Sequence, residues 1–311
     1  MTFHHIPVLY NEVMDWMSPA PGGAYCDGTL GGGGHSEGIL RLAGEGASLY
    51  GIDRDPEAIA AASERLKDFS GFHALRGNFH DGKALLEAAG APPLDGVLLD
   101  LGVSSHQLDE GARGFSYHED APLDMRMNPE EGVTAADLCN TCSEQELTRI
   151  IREYGEEKWA ARIAGIICEH RAEKPFETTF DLVHAVDAAI PKAVRRKEEG
   201  HPARRTFQAL RIAVNDELDP LDRALCDFVD CLKPGGRLLV ITFHSLEDRI
   251  VKRCFQRLQN PCTCPPKAPV CVCGKKPQVR ILARGAVPPS AQELEENPRA
   301  RSAKLRVCEK L

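Results

Sequence analysis

No apolar stretch in this chain approaches the roughly 20 residues of a membrane helix. The longest run, Leu238 to Phe243, is strand-sized. Met1 to Pro7 has neither the basic start nor the apolar core of a secretion signal. The expected location is therefore the cytoplasm, with no membrane partner. Positive charge is also short: 38 Lys and Arg stand against 46 Asp and Glu, a net charge of −8. That deficit weighs against unspecific polyanion binding. Internal repeats are absent as well, so no repeat array is expected.

What the chain does have is unevenly placed. From Arg249 to Arg306 there are 13 Lys/Arg and 3 Asp/Glu, a local +10, which leaves −18 for the rest. A basic C-terminal region on an acidic protein can still form a phosphate-binding face. The chain also holds 12 cysteines. In a cytoplasmic protein these are expected to be reduced, buried or metal-bound rather than disulfide-linked.

The first hundred residues alternate between strand and helix patterns. Strands are predicted at Ala24–Cys26, Ser48–Ile52, Phe72–Arg76 and Gly96–Asp100, with helices at Ser36–Ala43 and from Pro56 to about Leu66. Continuous apolar runs such as Val97-Leu98-Leu99 suit parallel strands buried on both faces. The pattern predicts a doubly wound α/β, Rossmann-like fold. The rhythm then breaks. Residues 108–213 read as an all-helical insertion dividing a domain made of 1–107 and 214–311. Within the insertion, Ser143 and Glu146 predict a capping box, Lys158–Arg171 and Thr179–Ala189 read as helices, and Arg113–Asn128 reads as a polar loop. Beyond it, Asp219-Pro220 is the expected cap of a helix with the stripe Leu221, Leu225, Phe228, Val229 and Leu232. Lys233 to Gly236 reads as a turn into a strand, Arg237–Phe243, and Ser245 and Asp248 open another capped helix. Val279–Leu282 and Lys304–Cys308 are the last strand candidates.

Strand, glycine turn, helix, strand and terminal acid make a nucleotide-binding frame. Here the turn is Gly28-Thr29-Leu30-Gly31-Gly32-Gly33-Gly34, and the terminal acid is Asp53. Glycine admits close backbone approach, and the acid can accept ribose hydroxyls. The dinucleotide spacing Gly-x-Gly-x-x-Gly fails: from Gly31 its third glycine falls on Ser36, and from Gly28 its second falls on Leu30. Asp27, beside the turn, would repel a pyrophosphate and suit a cationic sulfonium. Charge thus favours S-adenosylmethionine over a dinucleotide.

At this point whole blocks of sequence resemble a known family. Asp27-Gly28-Thr29-Leu30-Gly31-Gly32-Gly33-Gly34-His35-Ser36, Gly51-Ile52-Asp53-Arg54-Asp55-Pro56 and Leu98-Leu99-Asp100-Leu101-Gly102-Val103-Ser104-Ser105 are similar to motifs of the RsmH (MraW) family, the bacterial 16S ribosomal RNA cytosine methyltransferases. So are Arg113–Ser116, Pro122–Met127, His201–Ala209, Phe243–Arg249 and Asn297–Ser302. The blocks follow in order along nearly the whole chain. The resemblance implies a class I methyltransferase fold with an inserted helical domain. It implies methylation of the 4-amino group of a decoding-region cytidine, with the small ribosomal subunit as partner. It places cofactor contacts on Gly33, Gly34, His35, Asp53, Phe79, Asp100 and Gln107.

A cytosine amine is a poor nucleophile, because its lone pair is delocalised into the ring. The enzyme must hold amine and sulfonium in line and offer the N–H an acceptor. Asp100 is the candidate acceptor, or it simply orients the cofactor, and the cofactor role is slightly favoured. The prolines and aromatic found after this strand in DNA amino-methyltransferases are missing from Asp100-Leu101-Gly102-Val103. His35 and His244 are as readily explained by local backbone hydrogen bonds as by chemistry.

Candidate phosphate contacts are Arg195, Arg196, Lys197, Arg204 and Arg205 in the insertion, the face formed by Arg249, Arg253 and Arg257, and Arg299 and Arg301. A solvated surface would explain any one of them. Cys262, Cys264, Cys271 and Cys273 could hold a structural zinc ion tetrahedrally. Free thiols are an even alternative, because Cys-x-Cys is tighter than the usual knuckle. Three rival functions stay open: a nicotinamide-dependent dehydrogenase, a non-catalytic ribosome-assembly factor with a nucleoside pocket, and methylation of DNA or protein. A homo-oligomer is also compatible with the sequence.

Overall fold

The computed structural model describes residues 7–103, 111–196, 200–265, 270 and 272–311. It divides into two compact units, Met1–Gly102 with Leu218–Leu311, and Val103–Glu217.

The first unit is built on a seven-stranded sheet. In chain order its elements are α1 (Tyr10–Met17), β1 (Ala24–Asp27), α2 (Gly34–Ala43), β2 (Ser48–Asp53), α3 (Pro56–Arg65), β3 (Phe72–Arg76), α4 (Gly82–Ala88) and β4 (Leu94–Asp100). The strand order is β3-β2-β1-β4 and then three strands from the C-terminal part of the chain. Neighbours from β3 to β4 run parallel, with Cys26 paired to Tyr50 on one side and Val97 on the other. Side chains alternate between faces, as pleating requires. Cys26, Ile52, Val97 and Leu99 join one apolar cluster, while Tyr25, Leu49 and Leu98 join another. Helices therefore cover both faces, and the strand tips carrying Asp27, Asp53 and Asp100 lie along one edge. This is the predicted doubly wound Rossmann-like frame.

The second unit is helical. It comprises α5 (Ala135–Thr141), α6 (Glu144–Gly155), α7 (Ala160–Glu173), α8 (Thr179–Ala189), the single turn α9 (Lys192–Arg195) and α10 (Arg204–Asn215). Leu147, Ile150, Ile163, Ile167, Leu182, Val186, Phe207 and Leu210 form its core. The units divide after Gly102 and Glu217 rather than after residues 107 and 213. The reason at the second boundary is the end of α10. There the buried Asn215 accepts from Met127 N at 2.8 Å and donates to Met125 O at 2.8 Å. Asn215 thus belongs to the helical core.

Two local expectations of this unit change. The reciprocal half of the expected capping box does not form. Ser143 accepts from Glu146 N, but the Glu146 carboxylate turns to Arg149 at 2.8 Å. Residues 113–128 are largely loop, yet not a polar one: Phe115, Leu123, Met125 and Met127 are buried. Arg113 caps the Arg126 and Met127 carbonyls at 3.0 and 2.9 Å, and Arg126 clasps Asp124 at 2.8 and 2.7 Å. Gly114 has φ +72°, and a Cβ there would meet the Pro122 carbonyl oxygen at 2.2 Å, so only glycine fits.

The chain returns to the sheet through α11 (Leu221–Cys231), β5 (Leu232–Thr242), α12 (Ser245–Gln259), β6 (Val279–Ile281), α13 (Ala291–Glu296) and β7 (Lys304–Lys310). β5 pairs parallel with β4, and β7 inserts antiparallel between β5 and β6. Pro220, not Asp219, occupies the cap of α11, so the helix starts one residue later than expected. Leu232 already pairs with Leu94, and the turn at Lys233–Gly236 is an irregularity within β5. The cap of α12 is His244, one residue before Ser245: its side chain accepts from Glu247 N, and Glu247 returns the bond to His244 N. Asp248 instead pairs with Arg306 of β7 at 2.7 and 3.1 Å.

Candidate active site

The glycine turn is stitched to three strand ends. Asp27, at the tip of β1, is 1% exposed and accepts from Ser36 Oγ at 2.7 Å and Thr29 N at 3.2 Å. Asp53, at the tip of β2, accepts from Gly31 N at 2.8 Å and Asp55 N at 2.9 Å. Asp100, at the tip of β4, donates its own N–H to Thr29 Oγ1 at 2.6 Å. The turn thus closes over the point where the chain direction splits, between β1 and β4. Open α/β sheets bind ligands in the crevice at such a switch point.

All three carboxyls are held above the ordinary carboxylate range. Burial pushes Asp27 up to about 6 despite its hydrogen bonds to Ser36 and Thr29. Burial also raises Asp53. Burial first, then the charges of Asp27 and Glu247, raise Asp100 well above the usual value. Asp100 is divided between two environments. Its Oδ1 is buried and has no hydrogen-bond partner among the described residues, while the side chain as a whole is 25% exposed. An unsatisfied buried acceptor next to an accessible edge is a position for a donor from outside.

The glycines serve different ends. Gly33 adopts φ +74° as the cap of α2, and a Cβ there would press on Ala62 and Leu66 at 3.2 and 3.3 Å. A Cβ on Gly34 would meet Pro7 at 2.6 Å. Both are therefore explained by protein packing. Gly32 is exposed and has open space beside it. The cap of α2 is Gly33, which has no side chain of its own to accept from the first-turn N–H groups. His35 is buried, with Nε2 3.0 Å from Val8 O and Nδ1 3.9 Å from Asp100 Oδ2. Phe79 follows β3, half-buried, beside Gly28. Gln107 lies outside the described residues.

The arrangement brings Gly33, Gly34, His35, Asp53 and Asp100 to one edge of the sheet. Sequence reasoning missed Thr29 and Ser36, which tie the acids to the turn, and Glu247, buried under the tip of β5. Glu247 accepts from Phe243 N at 2.8 Å and His244 N at 3.2 Å. A hydroxyl two residues after a strand-end acid is the signal that could have found Thr29; Ser36, nine residues from Asp27, carries no such signal.

The basic candidates fall in both units. In the helical unit, Arg196 and Arg204 are exposed, Arg195 pairs with Asp187 at 2.8 Å, and Arg205 lies 3.8 Å from buried Glu157. Lys197 lies outside the described residues. In the sheet unit, Arg249, Arg253 and Arg257 share the exposed face of α12, and Arg299 and Arg301 are exposed in a short 3-10 helix, Pro298–Ser302. Arg257 is turned onto Asp222 at 2.8 Å, which reduces its availability to phosphate. Cys262, Cys264 and Cys273 converge, and Cys271 lies outside the described residues.

Comparison with known proteins agrees along the whole chain. A family model described as the MraW methylase family matches residues 2–311. A protein of Symbiobacterium thermophilum named ribosomal RNA small subunit methyltransferase H is 55% identical over 312 residues, covering 100% of this chain and 98% of its own. One of the same name from Trichlorobacter lovleyi is 56% identical, covering 99% of both chains. Among solved structures, an rRNA methylase from Streptococcus thermophilus aligns over 99% of both chains at 12% identity, with a TM-score of 0.42.

Proposed function

The chain belongs to the MraW methylase family, and on that premise we propose that it methylates small-subunit ribosomal RNA from S-adenosylmethionine, at the 4-amino group of a decoding-region cytidine. The observation that carries this reading is Asp100: a strand-end carboxyl at the switch point, with Oδ1 buried and unpartnered among the described residues and its proton affinity raised. The names of the relatives support the RNA acceptor. The cytidine and its 4-amino group rest on the sequence resemblance.

The residues at the sheet edge fit this donor. The glycine-capped start of α2 points its N-terminal end, with its partial positive charge, toward the strand tips, a setting that suits a carboxylate. Each Asp53 oxygen takes one N–H, which leaves acceptor capacity for ribose hydroxyls. Phe79 has a half-buried ring suited to an adenine face. A sulfonium donor supplies an electrophilic methyl group. Asp100 holds the acceptor amine in line and accepts from its N–H as that proton grows acidic. Burial raises the proton affinity of this carboxyl above that of an ordinary aspartate, and His35 Nδ1 lies 3.9 Å from Oδ2. The target base must leave its stack to reach the site. The exposed arginines of each unit, Arg196 and Arg204 in one and Arg249, Arg253, Arg299 and Arg301 in the other, are assigned to RNA phosphates.

The test is transfer of a labelled methyl group to isolated small subunits, naked rRNA, DNA and protein. Label on rRNA alone is expected. Label on DNA or protein, or none despite measurable donor binding, would overturn the proposal.

A further inference from the structure

Between the end of α12 and the start of β6 the chain makes a long excursion closed at its neck. Gln278 N donates to Leu258 O at 2.9 Å, and Ile281 N donates to Gln259 Oε1 at 2.7 Å. None of the described residues from Asn260 to Gln278 is buried, and Val270 and Val272 are 70% and 85% exposed. A loop of this length is unusual in a compact domain unless something orders it. Among its described residues, apolar burial does not.

Its thiols converge instead. The Sγ atoms of Cys262, Cys264 and Cys273 all lie within 4.8 Å of one another, and Cys262 and Cys273 are 3.8 Å apart. A disulfide would need about 2.05 Å. Around zinc, with Zn–S bonds of about 2.3 Å, tetrahedral geometry sets thiolate sulfurs about 3.8 Å apart. Val272 N donates to Cys264 Sγ at 3.4 Å, and a backbone N–H aimed at a ligating sulfur is the kind of outer contact that metal thiolates recruit. Pro261 and Pro265 flank Cys262 and Cys264 and fix the backbone φ on either side of them.

We propose that Cys262, Cys264 and Cys273 bind one structural zinc ion, which staples the 260–278 loop. Three converging thiolates, soft donors, select zinc among common divalent ions. Each thiol releases its proton to solvent on binding, and the metal undergoes no redox change. The sequence offers Cys271 as a fourth ligand. The site lies apart from the strand-end acids, so the proposal does not depend on the methyltransfer reading.

The whole protein, purified without added chelator, is assayed for metal by mass spectrometry and for free thiols under denaturation. About one zinc per chain is expected. Cobalt(II) exchanged into the same protein should show sulfur-to-metal charge transfer and strong visible bands of tetrahedral coordination. Cys262→Ser with Cys264→Ser should lose the metal and become cleavable within the loop, with the far-UV circular dichroism unchanged. Cys226→Ser, outside the loop, should keep it. Cys271→Ser reads whether a fourth thiolate contributes. Zinc-free protein with all 12 cysteines titrating, a mass two units low from a disulfide, or zinc retained by the double variant would each overturn the proposal.

Discussion

His35 Nδ1 stands 3.9 Å from Asp100 Oδ2, while Nε2 of the same ring is fixed 3.0 Å from the Val8 carbonyl. The ring lies between the start of α2 and the tip of β4, and among the described residues Oδ1 of Asp100 has no hydrogen-bond partner. Asp100→Asn keeps the shape and replaces the acceptor charge. Methyl transfer should fall by about 10²–10³-fold, the usual cost of losing one transition-state electrostatic contact. Donor affinity by calorimetry should change only a few-fold. Full turnover in Asp100→Asn would remove the acceptor role.

Asp53 both anchors Gly31 and faces the position assigned to ribose. Asp53→Ala should weaken donor binding about tenfold or more, the scale of hydrogen bonds to a charged group. Titration of S-adenosylmethionine checks this. Unchanged affinity would place the ribose elsewhere.

The raised carboxyls predict a pH dependence with a definite sign. Protonated acids give no attraction to a sulfonium cation, and ionised acids do. Asp27 changes state near 6, and Asp53 and Asp100 are also shifted upward. S-adenosylmethionine should therefore gain affinity over neutral S-adenosylhomocysteine as pH rises through about 6. A ratio of the two dissociation constants that stays flat from pH 5 to 8 would contradict it.

In the helical unit, Asn215 accepts from Met127 N and donates to the Met125 and Arg211 carbonyls. Asn215→Ala leaves these buried groups short of partners, at a cost of about 2–3 kcal/mol. Thermal melting should drop, and the Met127 amide should lose protection in hydrogen exchange. Unaltered exchange there would show that the bond is not holding the 122–128 loop.

The α/β frame was legible because buried parallel strands are apolar runs and their acids stand at the ends. Asp27, Asp53 and Asp100 could each be placed from sequence alone. Their connections could not. Thr29 reaches Asp100 and Ser36 reaches Asp27 across sequence separations that no periodicity records. Gly33 and Gly34 read as room for a ligand, but Ala62, Leu66 and Pro7 fill the space that side chains there would need. Met125 was hidden for a related reason. It sits at φ +63° and fully buried within a segment whose composition is polar. The basic residues were legible as a bias, but Arg195 and Arg257 turned out to be paired with Asp187 and Asp222. Pairing depends on side-chain reach, which spacing does not encode.

The most direct test is to incubate the protein with labelled S-adenosylmethionine and small ribosomal subunits from a strain lacking it, then digest the rRNA and map the labelled nucleoside by mass spectrometry. The account predicts one methyl group on the 4-amino nitrogen of a decoding-region cytidine. A methyl group on carbon, ribose or another base would contradict the assigned chemistry. No transfer despite donor binding would leave a ribosome-assembly factor with a nucleoside pocket.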